Sequence, residues 1–338
     1  MADEAANRAK TPRDREDSER VESSARMITQ SLLKHVPDLV ESCQAAALFV
    51  YVDALEDPSE LSFPSLHARV YYVTKTPAKE RTPHHEEIQY LRVPDVPLTR
   101  LGQVKIAVFL ALSRGLIQYG DRVVFLSGLA ADKILDTILV TEVGREYEIF
   151  TSGADLMASP KVLPEVIEKV VDIASELGNE GREGRPVGTI FVIGDTDRVV
   201  PLTRQLVLNP FKGYPPSERN ILDYSLEETI KELSTLDGAF ILQGDGVIET
   251  CGAYIRTASQ EEFELPRGLG ARHHAAAAIT AVTDSIAVTV SESTGSVTIF
   301  RGGHIVTEIQ KPRSTGGKPR TFHTPAQNKS RKRAKPAD

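Results

Sequence analysis

The sequence predicts an α/β protein made of two units, each a sheet layered with helices. Three observations lead there. Short apolar runs of strand character alternate with helical periodicities in both halves of the chain. A stretch rich in glycine and charge, residues 178–186 (GNEGREGRP), separates the two series. The length of 338 residues also suits two domains rather than one.

Residues 1–26 are polar and charged and are expected to form a disordered tail. The first unit spans 27–157. In it, residues 46–52 (AALFVYV) read as a buried strand and 70–73 as a second one. Residues 99–118 read as a helix with Val104, Val108, Leu112 and Ile117 apolar, closed by Gly120. Residues 122–126 and 137–143 are two further strands. Residues 158–186 are expected to connect the units. They hold a helix over 163–177, with Val166, Val170 and Ile173 on one face, ended by Gly178.

The second unit spans 187–310. Residues 187–193 form its first strand. A helix over 225–236 carries a capping-box pattern, Ser225 with Glu228. Strands follow at 238–242 and 247–254, then a helix at 271–283, then strands at 286–290 and 297–300. A mixed sheet flanked by helices accounts for this order. Residues 311–338 form a second tail, basic while the body is acidic. It serves either as a solubilising end or as a contact for nucleic acid or a membrane surface.

The bulk numbers exclude several classes. A net charge of -7 argues against a nucleic-acid binder. No run approaches about 18 apolar residues, so no membrane span is expected. Two cysteines, Cys43 and Cys251, cannot build a disulfide framework, which suits a reducing, cytoplasmic setting.

Chemistry concentrates in the second unit. Gly268 and Gly270 precede an alanine-rich helix whose first residues are Ala271, Arg272, His273 and His274. Glycines allow close backbone approach, and a helix start offers free N–H groups and a positive dipole end to an anion. A phosphate site follows; the alternative is a plain turn before a core helix. Asp237-Gly238-Ala239 places a carboxylate at a helix-to-strand junction, as a hard divalent cation prefers. A simple Asp-Gly turn is the alternative. Phe211, in Asn209-Pro210-Phe211, either covers the flat face of a base or is a core aromatic in a loop. Ser291 and Glu292 follow an apolar strand, where they either meet phosphate and metal or form an ordinary turn.

Together, DGA, then GLGARH, then TDSIAVTVSES resemble the DAC (diadenylate cyclase) domain family, whose signatures are a DGA and an RHR motif. The resemblance covers roughly residues 187–302. Residues 30–157, with GDRVVFLSG, are similar to a pyruvate-kinase C-terminal-type α/β domain, and that pairing resembles the archaeal-type enzymes. The resemblance implies synthesis of the second messenger cyclic di-AMP from two ATP, with release of two pyrophosphates. It implies that Asp237 holds Mn2+ or Mg2+ and helps activate a ribose 3′-hydroxyl, with Gly238 and Ala239 beside the nucleotide. Arg272, His273 and His274 stand at the triphosphate-binding RHR position, His274 replacing the final arginine. Ala271 stands where bacterial relatives carry threonine. Ser291 and Glu292 match phosphate and metal contacts. One ATP per domain implies a homo-oligomer with face-to-face DAC dimers. Two other readings remain: a catalytically impaired ATP-binding regulator of the same fold, and an allosteric sensor built around the first unit.

Overall fold

The computed structural model describes residues 12–55, 58, 61–63, 66–76, 89–145, 161–256 and 268–310. The basic tail at 311–338 and the boundary at 157 lie outside them.

The first unit begins with helix α1 (Pro12–Ser42), followed by strands β1 (Ala47–Tyr51), β2 (Arg69–Thr74) and β3 (Gln89–Arg92). Helix α2 (Arg100–Ser113) and strands β4 (Arg122–Leu129) and β5 (Ile134–Glu142) complete it. The sheet order is β3-β2-β1-β4-β5, with β5 antiparallel to β4 and the other pairs parallel. Strand β1 is wholly buried, as its continuous apolar run requires. Phe49 stacks on Phe125 at 4.7 Å and on Tyr71 at 5.1 Å between ring centres.

Two expectations fail here. The charged segment before Met27 is helical from Pro12 onward, not a disordered tail. Proline is tolerated in a first helical turn, and the Arg- and Glu-rich stretch after it contains no breaker before Pro37. The helix is anchored further along: Val36 and Val40 are buried, and the Thr29 hydroxyl accepts from Leu135 N at 3.1 Å on β5. Helix α2 also stops at Ser113, well before Gly120. Gly115 follows with φ 66°, and Leu116 N donates to Ala111 O at 2.8 Å, a Schellman closure.

The second unit holds α3 (Pro164–Glu180), β6 (Thr189–Ile193), α4 (Thr196–Val199), β7 (Thr203–Gln205), α5 (Glu227–Leu233), β8 (Ala239–Leu242) and β9 (Ile248–Ile255). Helix α6 (Ala271–Val282) and strands β10 (Ile286–Val290), β11 (Val297–Arg301) and β12 (His304–Ile309) follow. The sheet order is β12-β11-β10-β6-β8-β9-β7, with only β6 and β8 parallel. Alternate residues of its central strands feed two apolar layers. Phe191, Phe240 and Val288 lie in one, and Val192, Ile241 and Ala287 in the other. Ala276 and Ala277 let α6 sit close on the second layer.

Helix α3 is not a free connector. Its stripe of Val166, Val170, Ile173, Ala174 and Leu177 is buried, and the helix lies against β10, β11 and α5. It runs through Gly178 and ends at Gly181, φ 67°. The capping box is absent too. Asp223, not Ser225, accepts from a backbone N–H (Ser225 N, 2.9 Å) in a 3-10 turn before α5. Glu228 instead pairs with Arg182 at 2.8 Å.

The two units share one apolar cluster, and β12 lies against α2. Two ion pairs cross this boundary onto α3. Arg114 donates twice to Glu168, once at 2.6 Å, and Arg92 meets Asp172 at 3.5 Å. Burial pushes the Asp172 carboxyl up to about 6, against the pull of Arg92 and Lys169 and with the push of Glu176 and Glu168. The folded state then holds this proton more tightly than the unfolded chain does. Its contribution is full below the ordinary value of 3.8 and is lost as pH rises through about 6. Asp172→Asn should remove a loss on the order of 3 kcal/mol across that window. Urea unfolding at several pH values, wild type minus variant, measures it. Parallel curves would rule the effect out.

Candidate nucleotide-binding active site

One groove of about 1430 Å³ collects most of the residues singled out from sequence. Its walls come from the start of β8, the ends of β9 and β10, and the start of α6. Asp237, Gly238, Ala239, Gly268, Gly270, Ala271, Arg272, His273, His274, Ser291 and Glu292 all line it.

Asp237 leads into β8 with its side chain 90% exposed. Gly238 has φ 112°, and a β-carbon there would lie 2.6 Å from the Gly252 carbonyl carbon. Only glycine lets β8 cross β9 so closely and aim the carboxylate outward. Arg272 joins the two acidic segments. Its guanidinium lies 3.5 Å from Asp237 Oδ1 and donates to Glu292 Oε2 at 3.1 Å. Helix α6 follows Gly270, which gives no side-chain cap; His273 N donates to Gly270 O at 3.0 Å, and the N–H groups of Ala271 and Arg272 are left unclaimed by the helix itself. Ser291 and Glu292 sit in a turn closed by Gly295 N donating to Ser291 O at 2.8 Å.

Two expected ligands are buried, His273 at the inner wall of the groove and Phe211 outside its lining. The His273 ring is buried between α6 and the sheet, edge-on to Phe300 at 6.0 Å and with Nε2 3.5 Å from Thr298 Oγ1. Burial lowers its pKa, assisted by His274 and Arg272 and opposed by Glu308, so near neutral pH it carries no charge for a phosphate. His274, the next residue, is exposed at the groove. Phe211 is a core residue: 6% exposed and 6.5 Å from the Phe240 ring. Asn209 fixes that loop by accepting from Phe211 N at 3.0 Å and donating to Glu249 O at 2.8 Å.

Sequence reading missed three positions. Tyr254, exposed in an otherwise buried strand, and Leu206 line the groove. An exposed aromatic in an apolar strand is a readable signal for Tyr254. Gly188 gives none. A β-carbon there would come within 2.5 Å of Arg272 Nη1, so the arginine's position depends on its absence.

Among the described residues no group of three or more His, Cys, Asp or Glu could hold a metal ion. Asp237 and Glu292 nonetheless offer hard carboxylate oxygens beside one guanidinium, which fits a divalent cation completing its shell with substrate phosphates. No helix among the described residues is long and apolar enough to cross a membrane.

Residues 176–305 match the family described as DisA bacterial checkpoint controller nucleotide-binding. A diadenylate cyclase of Haloferax volcanii is 34% identical over 242 residues, 67% of this chain and 88% of that one. The chain belongs to the diadenylate cyclase family. A second family member, from Methanocaldococcus jannaschii, is 42% identical over 174 residues. That match covers 52% of this chain and about half, 55%, of the relative. Membership supports an enzyme that makes cyclic di-AMP, a metal-dependent nucleotidyltransferase. Residues 29–151 match a probable sensor domain named DacZ_P. A Cryptosporidium pyruvate kinase covers 37% of the chain at 10% identity and a TM-score of 0.29, too low to carry an argument for the first unit.

Proposed function

We propose that the chain condenses two ATP into cyclic di-AMP, releasing two pyrophosphates. The observation that carries this reading is Arg272 lying between Asp237 and Glu292 at the mouth of one groove. Arg272 and the start of α6 bind the triphosphate, and Ser291 adds a hydroxyl. Tyr254 and Leu206 supply the apolar wall for adenine that Phe211 does not. Ala239 and Gly238 lie along the nucleotide, and His273 supports the helix start from beneath.

A divalent cation, Mn2+ or Mg2+, held by Asp237 with help from Glu292, would acidify the ribose 3′-hydroxyl and offset charge on the α-phosphate. Asp237 also accepts the proton as the 3′-oxygen bonds to the α-phosphorus of the facing nucleotide. The bond from that phosphorus to the departing pyrophosphate breaks, and Arg272 steadies the negative charge that leaves. The second 3′-oxygen repeats the step and closes the ring. Each groove holds one nucleotide, so two chains must meet face to face; Asp237, 90% exposed, is open to such a partner. Most of the acceleration then comes from alignment.

We place the reaction in the cytoplasm and read the first unit as a pyruvate-kinase-C-like regulatory domain, in keeping with its open sheet of parallel strands and one antiparallel edge. Incubation of the full chain with ATP and Mn2+, followed by mass analysis, should show cyclic di-AMP and pyrophosphate. ATP bound but unchanged under Mn2+ and Mg2+ alike would favour the impaired regulator.

A further inference from the structure

The two acidic segments of the groove come from distant parts of the chain, and helix α3 touches the support of each. On one side, Lys231 of α5 is held by Glu176 of α3 and by Glu227 at 2.7 Å. Burial opposes the charge on Lys231, but those carboxylates outweigh it and keep the amine protonated. Helix α5 ends at Leu233, and a short turn leads from it to Asp237. On the other side, Gly178 of α3 abuts Gly295. A β-carbon on Gly178 would lie 2.3 Å from Gly295 O, and one on Gly295 would lie 2.2 Å from Gly178 O. Gly295 closes the turn that carries Ser291 and Glu292.

The first unit grips α3 as well, along the same stripe as Glu176. Arg114, the C-cap residue of α2, makes its double contact with Glu168, and Arg92, the last residue of β3, meets Asp172. Glu168 and Asp172 have side chains only 16% and 15% exposed, so these pairs are less screened than surface ones.

We infer that α3 is a brace setting the spacing of the Asp237 and Glu292 segments, and that the first unit controls turnover by holding or releasing it through Arg114–Glu168 and Arg92–Asp172. These four, with Glu176 and Gly178, are positioning residues. They act on the reacting atoms indirectly, through α5 and the 291–296 turn. This rests on the cyclase reading of the groove. The matched sensor domain thereby gains a physical route to the site.

The test uses the full chain and charge exchange at one pair: Arg114→Glu, Glu168→Arg, and both together. Each single variant should lower kcat for cyclic di-AMP by about five-fold or more, with the KM for ATP changed by less than about two-fold. The double variant should recover most of the loss. Gly178→Ala should lower kcat as well, by forcing the 291–296 turn outward. Amide exchange at Ser291 and Gly295, whose N–H groups are bonded across that turn, reads the brace without turnover. It should accelerate in the single variants and return in the double. Unchanged kcat and exchange in both singles overturn the brace, as do losses that the double variant does not restore. A wild-type chain that makes no cyclic di-AMP defeats the cyclase reading instead, and the exchange data still decide whether α3 transmits.

Discussion

Asp237→Asn should leave a folded chain that makes cyclic di-AMP at least about a thousand-fold more slowly. The carboxylate is 90% exposed, and surface replacements of near-identical shape change stability by less than about 0.5 kcal/mol. The loss therefore falls on chemistry. Asparagine keeps one oxygen but has no charge with which to hold a divalent cation or take the 3′-proton. ATP affinity should fall much less than kcat, since the proposed hold on the triphosphate comes from Arg272 and the start of α6. Chromatographic assay of product, beside circular dichroism and an ATP titration, separates these effects. Wild-type yield from the asparagine variant would take residue 237 out of the mechanism.

Arg272→Ala should have the second largest effect, and it should appear in binding. A charge-assisted contact to phosphate is worth about 1.5–3 kcal/mol, so ATP affinity should drop by roughly ten- to a hundred-fold. Turnover should fall as well, because the Asp237 and Glu292 carboxylates lose the cation between them. Arg272→Lys should recover little. An ammonium is a single point and cannot span two anionic partners as a planar guanidinium does. Calorimetric titration with ATP measures the effect, and equal affinities for wild type and alanine variant would exclude the phosphate role.

Much of the second unit was legible because its local signals agree with its packing. The start of α6 at Ala271 is marked by glycines before it and alanines after it, and β10 by a clean apolar run. The joint appearance of DGA and GLGARH located the groove. Side-chain direction was not legible. Arg272, His273 and His274 are neighbours in sequence, yet about 100° per residue around a helix sends the middle ring inward. Nothing local distinguishes Phe211 in a loop beside a ligand from Phe211 filling a core. Gly188 and Gly178 gain meaning only from what approaches them in space. Helix α1 was missed because its early residues are mostly polar or charged. Its anchors lie further on, Thr29 bonded to β5 and Val36 and Val40 buried in the core.

The apolar cluster that runs unbroken from the first sheet through α3 to β12 bears on how the chain came to be one piece. Neither half has a finished surface where they meet. Cut between them, each would present a greasy flank to water and stick to its own kind. The two lobes are accordingly not beads on a string: one continuous apolar interior joins them.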